Sequence, residues 1–162
     1  MNKQAREEIL KRLDEAFPAL PISMDFDVHP LDGWTTYEDR DAFARNVAHK
    51  TWSELPDDLV KAHPDVLFHL PGATFRAVLP AYLRFIASDD VYNEVPFSVA
   101  NMLTRTDDGI FEQRVSPLAP AQLRIVARIV ELSLTREPME DVMQQAYDSY
   151  WRDYLDNHED KK

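Results

Sequence analysis

Five histidines, no cysteine and a large surplus of carboxylates set the chemistry open to these 162 residues. Without cysteine there is no thiol nucleophile, no thiolate metal ligand and no disulfide. His63 and His69 stand six apart with Asp65 between them, a set that would suit a metal or acid–base role. Six residues put the two rings on different faces of a helix, Pro64 interrupts the segment, and no His-Glu-x-x-His pattern occurs. His29, His49 and His158 are isolated. Ordinary histidines are expected throughout, and no metal.

Carboxylates pair at Asp25 and Asp27, Asp57 and Asp58, Asp89 and Asp90, and Asp107 and Asp108. Acid–base catalysis needs two carboxylates in unlike environments, one partly desolvated. All four pairs fall in expected loops or helix starts, where Asp turns or caps the chain. No loop has the alternating oxygen ligands, central glycine and closing glutamate of a calcium site. The three glycines, Gly33, Gly72 and Gly109, are too scattered for a Walker loop, a dinucleotide fingerprint or a nucleophile elbow. Neither a catalytic residue nor a cofactor is assigned.

A second kind of chemistry is recognition. Tyr147, Tyr150, Trp151 and Tyr154 recur at helical spacing, amid Asp141, Asp148, Asp153, Asp156, Glu159 and Asp160. Arg152 and two terminal lysines oppose them. Such a stripe is a core face by periodicity. With its rings exposed it would be an aromatic centre with an acidic rim, suited to a basic partner. The contact residues of that interface would be Tyr147, Tyr150, Trp151 and Tyr154, flanked by Asp148 and Asp153. Arg76 and Arg84, eight apart and so on one helix face, could hold an anion; in a chain this acidic they are expected to pair with acids.

The elements that must position these groups are read from proline and periodicity. Eleven prolines punctuate the chain. A first helix is predicted over Lys3–Phe17, with Ala5, Ile9, Leu13 and Ala16 on one stripe. Ile22 to Trp34 reads as a loop. A second helix over Tyr37–Lys50 presents Phe43 and Val47, with Trp52 nearby. Pro56-Asp57-Asp58 opens a short helix, Pro at its first position, that stops before Pro64. Thr74–Ala87 makes a long apolar helix kinked at Pro80, and Phe97–Leu103 another. Asp107-Asp108-Gly109 is a turn, and Ile110–Val115 is at most a short extended piece. Leu118 to Leu123 carries the best local signal: Ala119 at the cap, Pro120 first, Gln122 third, and Leu118 and Leu123 placed for a hydrophobic staple. The helix that follows, to Thr135, is apolar round most of its circumference and is predicted to be central. Pro138 opens the last helix.

The fold expected is mainly α, a compact bundle of about six or seven helices, one of them proline-kinked, with little or no strand. One domain over 1–157 and a frayed tail at 158–162 are expected. The net charge of −11 arises from 29 acids against 18 bases; it repels phosphate backbones, so no nucleic acid is expected as partner. Met1 to Leu13 lacks the apolar core of a signal peptide, and no apolar run approaches the ~20 residues of a membrane span. No membrane partner and a cytoplasmic location are expected.

With those segments placed, the chain resembles an uncharacterised family of small bacterial helical proteins. The residues that carry the resemblance are Leu70-Pro-Gly-Ala-Thr-Phe75, Leu79-Pro-Ala-Tyr-Leu83, Phe111-Glu-Gln-Arg114 and Leu118-Ala-Pro-Ala-Gln122, with Ala16-Phe17 and the Trp52 region upstream. They span most of Lys3 to Leu134, the last helix less clearly. Ala119 stands where that family usually has Ser or Thr. The resemblance implies a helical cytoplasmic fold and no activity, cofactor or catalytic residue. Small acidic bacterial proteins are often immunity or antitoxin partners, an association and not a derivation.

These observations lead to a non-catalytic acidic protein-binding domain, for instance an immunity-type inhibitor of a basic partner protein. The alternatives are a helical enzyme built on His63, Asp65 and His69, metal-assisted or not, and a structural homo-oligomer joined through the last helix.

Overall fold

The computed structural model describes residues 3–24, 37–88, 93–137 and 139–158, with the backbone alone for 37–40. Asp25, Asp27, His29, most of the expected Ile22–Trp34 loop, Asp89, Asp90, Pro138 and the tail from Glu159 lie outside the described residues. Among those described, the secondary structure is helical and no strand occurs. Among the described residues, no helix is long and apolar enough to cross a membrane.

Helix α1 (Lys3–Ala16) is followed by α2 (Tyr37–Val47), a 3-10 turn at Trp52–Glu54 and α3 (Asp57–Ala62). A second 3-10 turn (Val66–His69) leads to α4 (Gly72–Ile86), α5 (Val95–Leu103), α6 (Ile110–Arg114) and α7 (Pro120–Ser133). The last described residues form a continuous rod: α8 (Glu140–Ala146), a π-helical turn (Tyr147–Trp151) and α9 (Arg152–His158). The stripe predicted on α1 is seen, with Ile9 and Leu13 buried. Phe43, Val47 and Trp52 enter the core together. Helix α2 stops because His49 adopts φ 67°, the left-handed conformation that ends helices. Its N–H then donates to the Ile22 carbonyl (3.0 Å), while the Ile22 N–H donates back to the Lys50 carbonyl (2.8 Å).

Pro56 caps α3 and does not occupy its first position; Asp57 and Asp58 fill the first turn. Pro80 stands inside one unbroken α4, where its missing N–H leaves a single ladder position unfilled. Two further expectations are corrected. Residues 110–114 form a helix, not an extended piece: Gly109 at φ 76° opens it, and the Asp108 carboxylate accepts from the Ile110 N–H (3.0 Å) and the Thr106 hydroxyl (2.8 Å). Those bonds hold the Asp108 carboxyl below its ordinary range. The apolar circumference of α7 predicts the central position, yet α4 holds it, with ten of its fifteen residues buried against seven of fourteen in α7. Helix α4 packs on α1, α3, α5, α6, α7 and both 3-10 turns. Its charges are confined to Arg76 and Arg84, whereas α7 keeps Arg124, Arg128 and Glu131 on an outer face. The α7 start is as predicted: the Ala119 N–H donates to Gln122 Oε1 (2.9 Å), and Leu118 and Leu123 are buried.

Candidate functional site

The rod carries all six residues predicted to contact a partner, and it divides them. Trp151 is fully buried and Tyr154 is 8% exposed. Their polar tips are taken up by backbone: Trp151 Nε1 donates to the Leu103 carbonyl (2.8 Å), and the Tyr154 hydroxyl donates to Pro120 (3.2 Å). Both therefore leave the predicted interface and join the core. Tyr147 and Tyr150 are half-buried, and Asp148 and Asp153 are exposed.

The π turn causes the split. Ala146 and Trp151, five residues apart, both face inward. An α-helix would turn them roughly 140° apart, whereas a π turn, bonding i to i+5, brings them onto one side. The Arg152 N–H accordingly donates to the Tyr147 carbonyl. Ser149 pins the turn from outside, accepting the Arg105 N–H (3.0 Å) while donating to the Ala146 carbonyl (2.7 Å). Tyr150 is thereby displaced outward, against Phe111 (4.8 Å between centroids) and under the Arg105 guanidinium (5.9 Å).

On the outer side, Arg152 lies 5.3 Å over the Tyr147 ring and binds the Asp148 carboxylate, which also accepts from Gln144 (2.9 Å). Desolvation pushes the Tyr147 hydroxyl above its usual pKa, and the negative charges of Glu131 and Asp156 add to that. Desolvation does the same for Tyr150 and Tyr154, opposed by Arg105 and Arg124 respectively. The rod has five carboxylates (Glu140, Asp141, Asp148, Asp153, Asp156) against Arg152, a net −4. Helix α7, with two arginines against Glu131, is net +1.

The candidate acid–base set is dispersed. His63 packs edge-on against Phe43 (5.3 Å) and gives its carbonyl to the Tyr82 hydroxyl (2.6 Å). Asp65 accepts from the Ser98 hydroxyl, and His69 lies beside Phe68. Among the described residues, no three His or carboxylate groups are gathered as a metal would need.

Several arginines serve the backbone. Arg84 donates to the Ser53 (3.1 Å) and Leu55 carbonyls and to Asp57 (3.2 Å). Arg114 donates to Phe68 (2.8 Å) and Leu67 (3.4 Å), and Arg136 to Ile86 and Ser88. Each clips carbonyls at the end of a helical turn, groups with no partner inside the helix. Of the pairing expected for Arg76 and Arg84, Arg84 alone meets an acid among the described residues; Arg76 donates to the Gln113 carbonyl (3.4 Å).

A groove of about 500 Å³ runs between α1 and α7, and none of the residues predicted for a site lies in it. Ala5, Ile9, Arg12 and Ala16 line one side, Ala121, Ile125, Arg128 and Leu132 the other, with Arg124, Glu8 and Glu15 at the rim. The signal was in the sequence: Ala-Ile-Arg at offsets 0, 4 and 7 occurs in both helices, continued at offset 11 by Ala16 and Leu132.

A model described as a family of unknown function, DUF6714, matches residues 5–155. The chain belongs to that family. The DUF6714 match contains every block that carried the resemblance, and it runs on through most of the rod, beyond the Leu134 limit expected from those blocks. Both walls of the groove also lie inside it. No curated protein matches the chain, and no solved structure does.

Proposed function

We propose that this DUF6714 chain is a non-catalytic binding domain that captures a basic partner protein through the outer face of the Glu140–His158 rod. The supporting observation is the coincidence, on one element, of the net −4 charge with two half-buried tyrosines, Tyr147 and Tyr150, the second displaced outward at a π turn. Such turns are frequent at functional sites, and tyrosine combines large contact area with a polar tip. The contact set is Tyr147, Tyr150, Asp148 and Asp153, extended by Asp156. An immunity-type inhibitor acting in a bacterial cytoplasm fits this surface, since acidic rims speed encounter with cationic partners.

The test is affinity capture from the native host at low and high salt, with the wild type beside Asp153→Lys/Asp156→Lys. Neither aspartate has an ion pair among the described residues, so reversing both leaves the rod's own contacts intact. A basic protein retained by the wild type at low salt, released by high salt and lost with the double variant is the expected result. Capture of the same protein by both chains, or of none by either, ends the proposal.

A further inference from the structure

From the groove between α1 and α7 we infer a second binding site, for a small amphipathic monocarboxylate. It lies away from the outer face of the acidic rod and is opposite to it in charge. A volume of about 500 Å³ falls within the range of small-molecule sites.

The lining is of two kinds. Ile9 and Ile125 form a buried floor, Leu132 is half-exposed, and the alanines Ala5, Ala16 and Ala121 leave the space between the helices open. Above them stand Arg12, Arg124 and Arg128 against Glu8 and Glu15, one net positive charge in a chain whose total is −11. Both acids already have a cation one turn away on α1: Arg12 Nε binds Glu8 (2.7 Å), and Lys11 lies 3.8 Å from Glu15. Arg128 donates to Glu131 (2.7 Å). Arg124 is exposed, and among the described residues no hydrogen bond or ion pair engages it. That sets it apart from Arg84, Arg114 and Arg136, whose forks are taken up by carbonyls. A guanidinium fork over an apolar floor matches a planar carboxylate carrying a hydrocarbon body; an ammonium head would be repelled, and a head without charge would forgo the fork.

The experiment is an amide NMR titration of the full chain with octanoate, 1-octanol, octylammonium and acetate. Octanoate is expected to saturate and to shift amides of α1 and α7. Octanol and octylammonium should bind at least about tenfold more weakly, and acetate without saturation. Arg124→Gln should weaken octanoate about tenfold, and Ala121→Trp should abolish its binding by filling the groove from an exposed position. The unperturbed part of each spectrum reports the fold; if Ala121→Trp does not fold, Arg124→Gln decides alone. Absence of saturable octanoate binding, equal binding of octanol or octylammonium, or undiminished binding to Arg124→Gln overturns the inference. Because no partner protein is present, none of these results depends on the rod.

Discussion

In the rod, Trp151 and Tyr154 give their polar tips to the Leu103 and Pro120 carbonyls and their rings to the core. In the groove between α1 and α7, the Arg124 guanidinium rests on no carbonyl or carboxylate among the described residues. Both are residue types that dominate binding surfaces. What separates a structural copy from one available to a partner is whether its polar end is already satisfied inside the fold. By that criterion, half of the aromatic stripe is structural, as are Arg84, Arg114 and Arg136. Tyr147 and Asp148, both engaged by Arg152, are satisfied within the rod, whereas Tyr150, Asp153, Asp156 and the groove arginine have no such partner among the described residues.

The sharpest way to break this division is at Trp151. Truncating a fully buried indole removes its packing and leaves the Leu103 carbonyl without a donor. Trp151→Ala should therefore cost about 3–5 kcal/mol in urea unfolding. Trp151→Phe keeps most of the ring and should cost less, reporting chiefly the lost hydrogen bond, about 1 kcal/mol. A cost for Trp151→Ala similar to that of an exposed residue would return the ring to the surface and restore the undivided stripe.

Next in size is Arg114. Its pKa is lowered, mainly by burial, while its fork holds Phe68 and Leu67. Arg114→Ala strands those carbonyls and should cost about 1.5–3 kcal/mol. Arg124→Gln, read in the same unfolding assay, should stay within about 0.5 kcal/mol of the parent. Equal effects at the two positions would mean that Arg124 also has a structural partner.

The same division explains what the sequence could and could not tell. The helices that begin at prolines or follow clean stripes, α1, α4 and α7, were legible, because local sterics and the 3.6-residue period act within one segment. Helix α6 was missed because five residues show too little periodicity, and its start depends on the Gly109 conformation and the Asp108 cap. The tyrosine stripe falls on one face only under uniform α geometry. The π turn that changes its phase is fixed by Arg105 and Ser149, forty-four residues apart in sequence. The groove was invisible for a related reason. Two matching patterns, one in α1 and one in α7, form a site only once tertiary packing sets the helices side by side.

Helix capping gives a smaller effect, in the opposite direction. Ala119 caps α7 without a side-chain oxygen, while Gln122 supplies the reciprocal half of the box. Ala119→Ser should complete it and stabilise the chain by about 1 kcal/mol, seen as a raised urea midpoint with an unchanged slope. Ala119 lies beside the groove wall at Ala121, so octanoate affinity measured on this variant also shows whether tightening the α7 start alters the site.

The smallest effect expected is the most exacting for the comparison. Asp153 and Asp156 are exposed, and Asp156 lies in the last turn of α9, where negative charge opposes the helix dipole and lysine favours it. If these acids served the fold, Asp153→Lys/Asp156→Lys would destabilise it. If they are on the rod for a partner, the double reversal should leave stability within about 0.5 kcal/mol, with any residue of effect on the stabilising side. It should fade as salt rises, because exposed charges are screened. A rod that keeps an acid at Asp156, where lysine would suit the isolated chain better, points to a selective reason outside the chain, and a clear loss of stability in the double variant would remove that reason.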